Sequence, residues 1–153
     1  MRIFITITCS LLIPGIGFAA DFANSVLSLS HYDCQSLDFN LLRRGGVEGV
    51  IHEATFPAND SDGKYFARQN EAATAGILWG AYHYGNGSDP ARQADHFLDI
   101  VRSDWRQGGG RLDGVLLVLD AEKNSHYPGG SMQVHQAVEF LRRVHQVTGV
   151  YPG

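Results

Sequence analysis

Residues 115–122 read VLLVLDAE, an apolar run that ends in two carboxylates one residue apart, Asp120 and Glu122. An apolar run of this length suits a buried strand, and the two-residue repeat of a strand turns both acids to the side of Leu116 and Val118. Acids held roughly 6 to 7 Å apart repel one another and are partly desolvated, so one can keep its proton near neutral pH while the other stays ionised. That division of labour suits glycosidic cleavage, in which one acid protonates the leaving oxygen and one carboxylate stabilises or assists at the sugar carbon. The same acids could instead hold a metal together with His52 or His83, or simply cap a turn and face solvent. No H-x-x-x-H or similar cluster supports a metal, so none is expected, and no other cofactor is implied.

Residues 80–85, GAYHYG, add aromatic groups close to these acids if neighbouring strands pair. Tyr82 and Tyr84 share one face, and His83 takes the other. Aromatic rings at a cleft rim stack on sugar faces, and phenols hydrogen-bond to carboxylates or hydroxyls. Tyrosines also fill the inner layers of barrels, and both readings stand at this point. The five histidines outside these strands are scattered and read as surface or core groups.

Strand and helix signals alternate along the chain, as they do in a parallel sheet built from βαβ units. Strands are expected at 26–30, 47–54, 77–84 and 115–119. Asp38 caps a helix over 39–44 that Gly45 and Gly46 stop, and a second helix covers 62–75 before Gly76. Asp89 and Pro90 form the clearest helix start, followed by a stripe of Ala91, Ala94, Phe97, Leu98, Val101 and Trp105. Ser131 is expected to cap a last helix with the stripe Val134, Ala137, Val138, Leu141 and Val144, ended by Gly149. Each unit takes about 30 residues, the size of a βαβ module.

The first 20 residues stand apart from this pattern. Arg2, an apolar run over 3–16 and the small residues Gly17, Ala19 and Ala20 form the signature of a secretory leader, cleaved after Ala19 or Ala20. Without it, 133 of the 153 residues remain, about half of the roughly 250 typical of an eight-stranded α/β barrel. Arg2 is the only charged residue of the leader, so 11 basic residues face 16 acidic ones in what is left. An acidic chain with no basic runs gives no support to nucleic-acid binding, and no second apolar segment is long enough to hold the processed product in a membrane. Cys9 leaves with the leader and Cys34 is then alone, so no internal disulfide can form, and Cys34 reads as a packed thiol. A secreted or periplasmic product is expected.

Several segments together resemble the glycoside hydrolase family 25 lysozymes, the Chalaropsis-type muramidases. They are VIHEAT at 50–55, ATAGILWGAYHYG at 73–85, QADHF at 93–97, VLDAE at 118–122 and GVYPG at 149–153, and the likeness runs from about residue 25 to 153. The resemblance implies an irregular TIM-like (β/α) barrel, here apparently truncated after the fourth strand-helix unit, with 1–20 a signal peptide and 21–153 a partial barrel domain. It implies hydrolysis of the β-1,4 bond between N-acetylmuramic acid and N-acetylglucosamine in peptidoglycan glycan strands. Glu122 would be the general acid and Asp120 the assisting carboxylate, either directly or by orienting the substrate's own acetamido group. Tyr82, Tyr84 and Ser28 would contact the glycan. Ser28 stands where the family's first strand usually carries an aspartate, and Glu53 and Phe56-Pro57 replace a commoner basic residue and Glu-Gly. The family pattern also continues beyond the position of Gly153. An open half-barrel exposes strand edges that invite self-association. Three explanations follow in order of expectation: part of a longer protein, a decayed gene, or a half that pairs with a partner. A glycan-binding pseudoenzyme that does not cleave is the alternative function.

Overall fold

The computed structural model describes residues 25–33, 36–108 and 114–153. The leader assigned to 1–20, Cys34 and the side chain of Trp105 lie outside the described residues. The strands are β1 (Ser25–Leu29), β2 (Val47–Phe56), β3 (Asp60–Ser61), β4 (Leu78–Tyr84) and β5 (Leu116–Asp120). The helices are α1 (Phe39–Arg44), α2 (Tyr65–Thr74), α3 (Pro90–Gly108) and α4 (Val134–Thr148). β1, β2, β4 and β5 lie side by side in that order and all run parallel, and β3 folds back antiparallel on the end of β2. The expected sequence of strand-helix units is therefore present. Gly153 lies along the free side of β5, its N–H bonded to the Leu117 carbonyl at 2.9 Å and its carbonyl to the Leu119 N–H at 3.0 Å. Among the described residues the sheet is open and does not close into a barrel.

Alternation along each strand divides the sheet into two faces. Leu29, Val50, Ala54, Trp79, Ala81 and Leu117 are buried in one core with Phe39, Tyr65, Ala72, Phe97, Val101, Phe140 and Val144 from the helices. The other face would line a barrel and is open, so that Val26, Leu78 and Leu116 are 58%, 72% and 51% exposed. Gly80 sits in this open layer with no room for a side chain, since a Cβ there would come within 3.2 Å of Ile51 and of the Leu116 carbonyl.

The helix starts follow capping chemistry. The Asp38 side chain accepts from the Leu41 N–H at 2.9 Å, and Asp89 accepts from Ala91 and Arg92 at 3.0 and 3.1 Å. Two expectations need correction. α2 begins at Tyr65, because Asp62 is spent on a turn whose side chain accepts from the Lys64 N–H and whose carbonyl accepts from the Tyr65 N–H. α4 is capped by Gln133, which exchanges side-chain and backbone bonds with Gln136, and Ser131 instead accepts from the Asn124 N–H. The turn of the β2–β3 hairpin, which the sequence reading did not foresee, uses left-handed backbone at Ala58 (φ 74°) and Asn59 (φ 57°).

Two histidines are sealed between sheet and helices. His83 Nε2 donates to Gln93 Oε1 at 3.0 Å and its Nδ1 accepts from Thr55 Oγ1 at 2.8 Å, while Phe140 stacks on the ring at 5.3 Å. That pattern fits a neutral ring, and burial pushes the His83 pKa from 6.5 down to about 4. His52 is lowered in the same way by burial. Among the described residues no helix is long and apolar enough to cross a membrane.

A depressed histidine pKa means that the unfolded chain binds the proton more readily than the folded one. Stability is then fully present above about pH 6.5 and falls as the pH drops towards 4, by on the order of 3 kcal/mol for His83 alone. Urea-denaturation midpoints measured across this range should fall with acid, and His83→Gln should remove part of that slope.

Candidate active site

The carboxyl ends of the parallel strands carry the polar residues of the open face. β1 leads into a tight turn in which the Asp33 side chain accepts from the Ser30 N–H and the Asp33 N–H donates to the Ser30 carbonyl at 3.1 Å. Lys64 Nζ then ties this turn to α2 by donating to the His31 and Asp33 carbonyls at 2.7 and 2.9 Å. Arg68 adds a bond to the Ser30 carbonyl at 3.1 Å. His31 and Tyr32 are thereby held over the end of the sheet.

The register places Glu53 beside Tyr82, Tyr82 beside Val118 and Tyr84 beside Asp120. The β2–β4 pairing shifts register between Glu53 and Thr55. This bulge breaks the alternation, so that Glu53 faces the open side while Thr55 turns its hydroxyl to His83 beneath the helices. After Asp120 the chain enters a loop organised by Asn124, whose Nδ2 donates to the Tyr127 and Gly130 carbonyls at 2.9 and 3.0 Å. Its Oδ1 accepts from the backbone of His126 and Tyr127 at 3.1 and 2.9 Å. The loop is fastened to the end of β4 by Asn86 Nδ2, which donates to the Pro128 carbonyl at 2.7 Å. Gly87 permits that closeness, because a Cβ there would lie 2.5 Å from the Gly129 carbonyl oxygen.

The result is a cavity of about 650 Å³ lined by Ser28, Ser30, Tyr32, Asp33, Glu53, Tyr82, Tyr84, Asp120, Glu122, His126 and Tyr127, with Val26, Leu27 and Leu29 at one end. All five residues singled out in the sequence, Asp120, Glu122, Tyr82, Tyr84 and Ser28, line this one space. His52 and His83 do not. They lie on the helix-covered face, which removes them as metal partners for the two acids. The rim is aromatic: the Tyr127 ring lies 5.4 Å from Tyr84 and 5.5 Å from Phe56, and Phe56 lies 5.0 Å from His31. The Tyr127 and Tyr32 hydroxyls are 3.4 Å apart. Such a rim offers flat apolar faces above a floor of carboxylates and hydroxyls, a combination that suits a sugar ring.

Electrostatics on the floor are dominated by acids. Burial raises the Glu53 pKa, opposed by a 2.6 Å contact with His31 Nδ1. Tyr82 is raised by burial first and then by the charges of Glu53 and Asp120, so its phenol stays protonated and is available as a donor. Tyr84 shifts upward for the same reasons, with Glu122 and Asp120 as its leading charges.

Glu53, Asp33, Tyr32 and Tyr127 were missed as cleft residues. The alternation of Gly49, Ile51 and Glu53 is the signal that could have placed Glu53 on the open face. No comparable signal marks Tyr127, which reaches the cleft through a loop fold that no periodicity encodes.

A parallel sheet with helices on one face and acids and aromatic rings gathered at its carboxyl ends is the arrangement of an α/β-barrel active site. The chain belongs to the glycosyl hydrolases family 25, whose model matches residues 28–153. It is 36% identical over 66 residues to an autolytic lysozyme of Clostridium acetobutylicum, a stretch that covers 43% of this chain and 20% of that protein. It is 32% identical over 108 residues to lysozyme M1 of Streptomyces globisporus, covering 69% of this chain and 34% of that one. The structure of a muramidase from Acremonium alcalophilum superposes with a TM-score of 0.67 at 25% identity, over 82% of this chain and 61% of the other. The chain thus spans only part of the length of each of these relatives.

The Asn124 bonds identify the side chain that holds the 123–131 loop. Asn124→Ala should cost about 1–2 kcal/mol, since two partly buried and two exposed backbone bonds are lost, and should leave Tyr127 free of the rim. Chemical denaturation together with the loss of the Tyr127 contribution to near-ultraviolet dichroism would check both effects.

Proposed function

We propose that the chain carries the catalytic acids of a lysozyme-type muramidase that hydrolyses the β-1,4 bond between N-acetylmuramic acid and N-acetylglucosamine in peptidoglycan. The observation that carries this reading is the convergence of Asp120, Glu122, Tyr82, Tyr84 and Ser28 on one aromatic-rimmed cleft in a family 25 chain. Glu122 is assigned as the general acid. It lies beyond the end of β5, where it can approach a glycosidic oxygen bound in the cleft. Asp120, held at the strand end, is the assisting carboxylate, acting at the anomeric carbon or by orienting the acetamido group. Tyr82 supplies a hydroxyl donor to the sugar or to an acid, and Tyr84 supplies part of the stacking rim. A leader at 1–20 would deliver the protein outside the cytoplasm, where its substrate lies. The name of the Clostridium relative, an autolytic lysozyme, accords with that setting.

A second reading, glycan binding without cleavage, rests on Ser28. This residue is exposed in the cleft and brings no charge where the resemblance implies an aspartate. The open layer around Val26, Leu78 and Leu116 also supports self-association or pairing with a further segment.

Glu122→Gln should lower release of reducing ends from purified peptidoglycan at least about 100-fold, the lower end of a general acid's usual contribution. Unaltered lysis in that variant rejects the assignment. Ser28→Asp separates the two readings: a gain of turnover would show that the charge was missing, whereas peptidoglycan pull-down with no reducing ends from either form favours the binding module.

A further inference from the structure

Three ionisable side chains from separate segments meet at the edge of the cleft. His31 comes from the turn after β1, Glu53 from the end of β2, and Asp62 from the turn before α2. One ligand atom from each lies within 4.8 Å of the others. Glu53 and Asp62 are buried, and His31 keeps 27% of its side chain exposed. Two carboxylates side by side in the interior repel one another and need positive charge close by.

The hydrogen bonds around them leave that need unmet at one atom. Asp62 Oδ1 accepts from the Lys64 N–H at 2.8 Å, but Asp62 Oδ2 is fully buried and has no hydrogen-bond partner among the described residues. Its nearest histidine nitrogen, His52 Nδ1, is 3.7 Å away and is directed at the Glu53 carbonyl at 2.7 Å. The Lys64 ammonium is occupied with the His31 and Asp33 carbonyls. A buried carboxylate oxygen left without a partner is destabilising, which marks it as a place where a ligand is expected.

The three groups are also fixed in advance. Asp62 is held by its N–H to the Ala54 carbonyl at 3.0 Å and by its own turn. Glu53 sits in a strand paired on both sides. The His31 ring is packed against Tyr32 at 3.9 Å and Phe56 at 5.0 Å. Little ordering is left for an ion to impose, which favours binding.

We propose that His31, Glu53 and Asp62 form a divalent-cation site at the rim of the cleft that takes an ion of the Zn²⁺ class. One imidazole nitrogen and two carboxylate oxygens are a zinc ligand set, and the part-exposed His31 side chain leaves a further coordination position within reach of solvent. The ion replaces the proton in the His31–Glu53 hydrogen bond, which leaves for solvent, and its charge compensates both acids. It would join the β1 turn, β2 and the start of α2, and so set the shape of the cleft edge. This site is separate from Asp120 and Glu122 and does not depend on the catalytic reading.

The test is uptake of Zn²⁺ by the tag-free full chain, measured by equilibrium dialysis with elemental analysis and by calorimetry, with melting curves in Zn²⁺ and in chelator. One Zn²⁺ per chain and a rise in melting temperature with Zn²⁺ are expected. Glu53→Gln, which keeps the side chain's shape, and His31→Ala, in a turn outside the sheet, should each weaken uptake at least about 100-fold. Dichroism in chelator shows independently that each variant is folded, and either folded variant is sufficient. Absence of stoichiometric uptake overturns the site. So does uptake unchanged in a folded variant, which would place the ion on surface histidines.

Discussion

Parallel pairing of β2, β4 and β5, with β2 and β4 in one register as far as Glu53, is the constraint on which the cleft depends. It sets Glu53, Tyr82 and Val118 in one row and Tyr84 and Asp120 in the next. A slip of one residue along any of these strands would exchange its two faces, moving its cleft-facing side chains under the helices and its buried ones to the cleft. The register is held from the covered face. There Trp79, Ala81 and Leu117 share one buried cluster with Tyr65, Phe97, Val101 and Phe140, and the His83 ring is wedged between Thr55, Gln93 and Phe140. The packing that stabilises the domain therefore also aims the acids.

The bulge after Glu53 allows one strand to serve both purposes. Regular alternation would place residue 55 on the same side as residue 53. The extra residue, Ala54, lets Glu53 remain in the cleft while Thr55 satisfies the buried imidazole. Burial of His83 as a neutral ring makes the domain sensitive to acid. Burial of Glu53 with Asp62 produces a second electrostatic cost on the opposite face, and the close His31 contact offsets part of it. Both costs lie where β2 passes from the core to the rim.

The loops show a different economy. The turn after β1 and the loop after β5 have little apolar content to bury, and each is shaped by side chains that bond to backbone: Lys64 and Arg68 for the first, Asn124 and Asn86 for the second. These bonds bring Tyr32 and Tyr127 within 3.4 Å of each other although 95 positions separate them in the chain. The aromatic rim is thus a tertiary product built on a floor supplied by strands.

Much of the architecture was legible in residues alone. The order of strands and helices, the Asp38 and Asp89 caps, and the placement of Asp120, Tyr82 and Tyr84 on one face all follow from hydrophobic period, capping chemistry and the two-residue repeat, because these are local properties of the backbone. The same two-residue repeat paired Glu122 with Asp120, and the family resemblance added Ser28. What local rules could not reach was Gln133 taking the cap expected of Ser131, Asp62 spent on a turn, the removal of His52 from the acids, and the meeting of His31, Glu53 and Asp62. Each of these depends on which distant backbone group or side chain competes for the same atom. The sequence alone thus determined the parallel order and the acid pair at its end, since neighbouring residues suffice to specify them. Only the tertiary structure decided which other groups share that space, because contacts across 22 to 95 positions are set by how the elements pack.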